Sequence, residues 1–251
     1  MEVLKTSSTE ETFIKIVVAG ESGNGKTSLA KTIQDNLGER VLIISAEAGL
    51  LSLRGSNIDY IELQRRDGKE VPRHERAKHL GEIYKWLMLP EQVAKYKWIF
   101  IDSLTEVNQA ILDAIESKEE FQGPKNTIKK YGELASNMMS LCKLFRDINN
   151  YNVIFSCLVK TETDNDGIGK MKVAIIGAFA DRLPALFDLI LYLGVSKEVG
   201  KDGKNNRFLL TQKTDRIDFP KDRSGKLDRI EPADLAVIVN KIRNQQTKGE
   251  K

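Results

Sequence analysis

FIKIVVAGESGNGKTSLAKTIQDNL, residues 13–37, decides how the rest of the chain is read. Its first seven residues are an apolar, β-branched run, the pattern of a strand buried on both faces. Its last ten, SLAKTIQDNL, carry apolar residues at helical spacing. Between them GESGNGKT, residues 20–27, fits G-x-x-x-x-G-K-[ST] without a mismatch. A strand that feeds a glycine-rich turn into a helix N-terminus makes an anion cradle. Its curled backbone points N–H groups at a polyphosphate, and the helix end adds partial positive charge. The expected contacts are Gly20, Glu21, Ser22, Gly23, Asn24, Gly25, Lys26, Thr27 and Ser28. Lys26 is placed to reach the β- and γ-phosphates and the Thr27 hydroxyl to hold Mg²⁺, so the stretch implies ATP with Mg²⁺.

Outward from this stretch, apolar runs alternate with helical patterns, which predicts a mostly parallel sheet with helices on both faces. VLIIS at 41–45 and KWIFID at 97–102 read as buried strands, and IDYIEL at 58–63 as an outer one. Helices are expected over 73–88, from Leu104 to about Ser117 behind the capping box Ser103–Glu106, and over 131–148. VIFSCLV at 153–159 is a further buried strand, and DLILYLGV with RFLLTQ forms a late antiparallel hairpin. Residues 118–130 and 161–170 read as loops, and Pro232 is expected to open the last helix, to about Arg243. One domain over 12–244 is expected, with disordered tails at 1–11 and 245–251.

Composition bounds the class. The 251 residues are 41% hydrophobic and 30% charged, as in a soluble globular protein with one large core. No apolar run approaches the ~20 residues of a membrane span. The polar N-terminus is neither a secretory signal nor an Arg-rich transit peptide. Cys142 and Cys157 lie in apolar patterns without metal-ligand spacing, which points to reduced core thiols and a cytoplasmic protein. A net charge of +3 leaves nucleic acid open as a partner.

Two carboxylates complete the nucleotide chemistry. Asp102 ends a buried strand, where a lone charge is costly, and Mg²⁺ is the partner that the phosphate loop calls for. Glu47 follows the strand after the loop helix. Parallel strands present their carboxyl ends on one side of the sheet, so Glu47 and Asp102 should converge near the γ-phosphate, Glu47 as general base.

The order of phosphate loop, glutamate after the next strand and strand-terminal aspartate resembles the RecA-type ATPase core. Residues 131–159 and 174–193 are similar to the RecA stretches that follow its two DNA-binding loops. KDRSGKLDRIEPADL, residues 221–235, resembles the ending of phage-encoded RecA-like single-strand annealing proteins. The resemblance implies an α/β RecA-like core and an ATPase stimulated by single-stranded DNA and by oligomerisation. It also implies a ring or filament acting in recombination or annealing, with a single-strand-binding protein as possible partner, in the cytoplasm of a bacterial host. Lys221-Asp222-Arg223-Ser224-Gly225 is similar to the K-x-R-x-G element of DnaB- and RadA-like members, which reaches a neighbour's γ-phosphate; this implies catalytic roles for Lys221 and Arg223 beside Glu47 and Lys26. On a RecA-like core the loops 118–130 and 160–172 face the oligomer axis, with Lys125, Lys129, Lys130, Lys170 and Lys172 as DNA contacts. The chain departs from the family at Cys157 and Leu158, where a polar sensor, glutamine or histidine, is usual. RecA's N-terminal polymerising segment and C-terminal domain are also without counterpart. The competing expectations are a compact DnaB-like ring helicase or loader, a phosphotransferase using 65–78 as a lid, and a nucleotide switch.

Overall fold

A computed structural model describes residues 13–47, 49–121, 126–163, 167–199 and 205–243. The N-terminal half runs β1 (Lys15–Gly20), α1 (Leu29–Leu37), β2 (Val41–Ser45), β3 (Asp59–Glu62), the short pair β4 (Arg65–Arg66) and β5 (Lys69–Glu70), α2 (Arg76–Leu87), α3 (Pro90–Lys95), β6 (Trp98–Asp102) and α4 (Leu104–Glu116). It continues with α5 (Thr127–Arg146), β7 (Asn152–Cys157), β8 (Val159–Thr163), β9 (Gly169–Val173), α6 (Phe179–Leu186), β10 (Leu189–Val199) and β11 (Asn205–Leu210). The chain closes with β12 (Lys221–Asp222), β13 (Ile230–Pro232) and α7 (Leu235–Arg243).

The main sheet has the order β13-β11-β10-β1-β7-β6-β2-β3, with β12 beside the start of β10. The six strands from β10 to β3 are parallel; β11, β12 and β13 are antiparallel additions at one end. Period-2 alternation sorts β1 cleanly. Val17 and Ala19 join the core under α2, α4, α5 and α6, while Ile16 and Val18 join the core under α1 and α7. With both faces covered, the central strands have to be apolar throughout. Each large apolar side chain buried this way contributes about 1.5–3 kcal/mol, which fixes the strand ends that carry the polar groups. The fold is a RecA-like α/β core: a mixed, mostly parallel sheet between two helical layers, with β3 outermost and β10–β11 as the late hairpin.

Three local expectations are corrected. Residues 118–130 are not one exposed loop: Glu119–Phe121 form a 3₁₀ turn, and α5 already runs from Thr127. The cause is Phe121, 5% exposed, whose ring anchors the turn with Lys118 and Lys129 above it. Residues 161–170 are not simply a loop, because β8 and β9 pair antiparallel from Val159↔Val173 to Thr163↔Gly169. Nor does Pro232 open the last helix. It ends β13 opposite Phe208, and Asp234 stands just before α7, its Oδ1 accepting from Ala236 N at 2.8 Å. Proline suits the edge position, where its missing N–H removes no interior ladder bond.

Candidate nucleotide site

The loop after β1 is seated against β10. A Cβ at Gly20 would stand 2.9 Å from the Leu193 carbonyl oxygen, so glycine is what lets the chain leave the strand there. Asn24 Nδ2 donates to the same oxygen at 3.1 Å, and Gly25 turns the loop in the left-handed region with φ 90°. Leu29 N, Ala30 N and Lys31 N donate to Lys26 O, Thr27 O and Ser28 O at 3.1–3.2 Å, winding a tight first turn into α1. The first turn of α1 holds no acidic residue, leaving the positive end of its dipole for an anion.

Lys26 is 7% exposed, and its Nζ donates to Gly20 O at 3.0 Å and Glu21 O at 2.9 Å within the loop. Burial lowers its pKa, while the nearby Glu47 and Asp102 carboxylates oppose that shift. Asp102, 3% exposed at the end of β6, accepts from Thr27 Oγ1 at 2.6 Å through Oδ2 and from Ser156 Oγ through Oδ1. Hydroxyl and carboxylate oxygens side by side are the hard donors that suit one Mg²⁺, which takes its other ligands from phosphate and water. Among the described residues no three His, Cys, Asp or Glu side chains form a metal cluster.

Glu47 stands at the same end of the sheet. Its Oε1 accepts from Ser103 Oγ at 2.6 Å, and that same Oγ accepts from Glu106 N at 3.4 Å as the N-cap of α4. The capping motif was legible; the second task of Ser103, orienting Glu47, was not. Burial and the proximity of Glu47 raise the pKa of Glu106, which Arg76 and Arg73 partly offset. Cys157 ends β7 fully buried, its Sγ 3.5 Å from Thr105 Oγ1, and burial pushes its thiol up to about 11. A neutral thiol therefore ends β7. Lys160, further on in β8, pairs with Glu162 at 2.6 Å.

The remaining sequence-derived residues lie elsewhere. Lys221 Nζ donates to Pro184 O and, at 2.8 Å, to Phe187 O, so its ammonium caps the C-terminal end of α6 in its own chain. Arg223 is exposed and pairs with Asp188 at 3.0 Å. That pair sits where β12 meets the start of β10, at the opposite end of the sheet from the phosphate loop. Lys129 and Lys130 occupy the first turn of α5 and pair with Glu120 at 2.8 Å and Glu116 at 2.7 Å. Lys170 and Lys172 lie on β9, the latter 3.3 Å from Glu162, while Lys125 falls outside the described residues. Two further residues reach the site with no motif to announce them: Ser156 behind Asp102, and Arg207 of β11 beside the loop.

Residues 12–224 match the family model described as an AAA domain. The chain belongs to the AAA-domain family. No curated protein sequence matches this AAA domain. Among solved structures it is similar to the RadB recombinase, at 14% identity over 82% of this chain and 84% of that one, with a TM-score of 0.43. It is also similar to a prototypical ATPase from the type III secretion system of pathogenic bacteria, at 16% identity over 72% and 52% of the two chains, with a TM-score of 0.42. With its GESGNGKT loop, this AAA domain is a P-loop NTPase.

Proposed function

We propose that this AAA domain binds ATP with Mg²⁺, hydrolyses it at a site completed by a neighbouring subunit, and acts on single-stranded DNA in recombination or annealing. The observation that carries the nucleotide part is the 2.6 Å contact of Thr27 with Asp102 beside Lys26 and Glu47, all at the carboxyl ends of β1, β2 and β6. Lys26 exchanges its two loop carbonyls for phosphate oxygens, and the loop N–H groups hold the rest of the chain of phosphates. Glu47, steadied by Ser103, aligns and deprotonates the attacking water. Mg²⁺, when bound at Thr27 and Asp102, offsets the charge of the transferring phosphoryl group.

Arg223 is the side chain we assign to a neighbour's site. Five strand residues separate its level from that of Gly20, about 17 Å, so it is out of reach of its own loop. Its exposed ion pair with Asp188 is of a kind worth about 0–1 kcal/mol, so it can exchange for a phosphate. DNA binding rests on the resemblance to RecA-like annealing proteins and on the hairpin β8–β9, which leaves β7 at the same sheet end as the phosphate loop and carries Lys160, Lys170 and Lys172. A phage-encoded protein working in the cytoplasm of a bacterial host, as a ring or filament beside a single-strand-binding protein, is the setting this reading implies.

A second reading, a nucleotide switch that turns over slowly and ignores DNA, is favoured by Cys157 at the sensor position. ATP turnover measured against protein concentration, with and without single-stranded DNA, separates the two. The proposal expects low basal turnover that rises with both. Turnover that is flat in concentration and indifferent to DNA leaves the switch.

A further inference from the structure

Strand β11 brings a guanidinium onto the phosphate loop from the flank opposite the metal-binding residues. Arg207 Nη1 lies 3.3 Å from Ser28 Oγ, and a Cβ on Gly25 would come within 2.1 Å of that nitrogen. Arg207 thus rests on the bare face of a loop glycine. The strand that delivers it is firmly held. Arg207 pairs with Val195 across the β10–β11 ladder, Leu209 is buried, and the Phe208 ring fills the space where a Cβ on Gly194 would stand, 2.4 Å away. Arg40, Arg66, Arg223 and Arg243 each face a carboxylate, whereas the partner of Arg207 among the described residues is a hydroxyl at long range. Its charge is exposed, paired with no carboxylate among the described residues, and lies against the loop to which the proposed polyphosphate is assigned.

Sheet order fixes which end of that polyanion it meets. Thr27 faces Asp102 of β6, two strands from β1 on one side; Arg207 comes from β11, two strands from β1 on the other. Four strand spacings, about 19 Å, separate β6 from β11. A triphosphate with its terminal group and Mg²⁺ towards Thr27 and Asp102 therefore directs its other end towards Arg207. We infer that Arg207 is a cation supplied in cis to the α-phosphate end of a bound nucleoside di- or triphosphate. A planar fork of N–H donors matches phosphate oxygens better than a lone hydroxyl. The inference rests on the nucleotide reading above, and it adds a residue on β11 that neither the loop motif nor the two carboxylates identify.

Calorimetric titration with Mg²⁺-ADP and with Mg²⁺ and a non-hydrolysable ATP analogue tests it on the full chain. Arg207→Met keeps the aliphatic stem and removes the charge, and should weaken both nucleotides by about 10–100-fold. Arg207→Lys should recover part of the loss, and thermal melting without nucleotide should be unchanged in both variants because the side chain is exposed. Wild-type affinity for both nucleotides in Arg207→Met overturns the inference. So does a loss confined to the ATP analogue, which would put the guanidinium at the γ-phosphate. If the wild-type chain binds neither nucleotide, the nucleotide reading itself falls and takes this inference with it.

Discussion

At the scale of single residues, the proposed site divides into side chains assigned to binding and side chains assigned to the chemistry. The Glu47 carboxylate accepts a hydrogen bond from Ser103 Oγ at 2.6 Å, so Glu47→Gln can keep that bond while losing the base. Its turnover should fall about 10²–10⁴-fold with nucleotide affinity retained, as paired kcat and titration measurements would read. Wild-type turnover would move the base elsewhere. Ser103→Ala should lower kcat at unchanged KM, because Ser103 touches Glu47 rather than the loop, and should also remove an N-cap worth about 1 kcal/mol. Far from the site, Lys15 Nζ donates to Ile148 O at 2.7 Å and to Tyr151 O, and burial pushes its pKa from 10.5 down to about 8. Between those values the folded chain binds fewer protons than the unfolded one, so the Lys15 contribution to stability rises with pH. Chemical denaturation should show wild type gaining about 1–2 kcal/mol over Lys15→Met between pH 8 and 9.5; the upward-shifted Cys157 and Tyr151 are common to both and cancel. Residue identity carried much of the candidate site. Lys26, Thr27 and Asp102 announce themselves by a spaced motif and a charge at the end of an apolar strand. Ser156 and Arg207 do not, because a lone serine inside a strand or a lone arginine in a basic segment acquires its role from the strand laid beside it.

At the scale of elements, legibility followed burial. Strands covered on both faces spell themselves out as apolar runs, and β2 begins and ends where VLIIS does. Exposed elements do not. Val159-Lys160-Thr161-Glu162-Thr163 has the polar composition of a loop, yet it alternates, and its partner β9 lies close along the chain, so the two pair without joining the main sheet. Composition is a statement about solvent, and pairing needs only a neighbour in register. The distinction matters for DNA. A paired hairpin presents Lys170 and Lys172 on a frame with a fixed register, Lys160↔Lys172 and Glu162↔Lys170. If single-stranded DNA lies on it, the double variant Lys170→Ala/Lys172→Ala should reduce the salt slope of log K by about 1.4, two contacts at ~0.7 each. Anisotropy titrations with a labelled oligonucleotide at several salt concentrations would give that slope, with ADP affinity as the unmoved control. An unchanged slope puts the DNA off this hairpin.

At the scale of the whole molecule, the two ends of one sheet carry the two halves of the proposed chemistry. The carboxyl ends of β1, β2 and β6 gather Lys26, Thr27, Glu47 and Asp102, while Arg223 lies at the start of β10, about 17 Å down the strands. No rotamer of Arg223 spans that distance, so a catalytic role for it requires a second copy stacked head to tail, the heterologous contact that builds rings and filaments. Lys221 cannot share the role from its present position, since its ammonium caps α6. Removing the finger should therefore leave ATP binding intact and cost about 10³–10⁵-fold in turnover. Lys26→Ala should instead lose phosphate binding while still donating its finger. In an equimolar mixture an interface works only when an Arg223→Ala chain provides the loop and a Lys26→Ala chain provides the finger, about one interface in four for a randomly assembled head-to-tail oligomer. Turnover of the mixture should thus approach a quarter of the wild-type rate, orders of magnitude above either variant alone, and should rise with total protein concentration as copies meet. A mixture no more active than the sum of its parts would confine the chemistry to one chain, and Arg223 would then be a surface ion pair with Asp188.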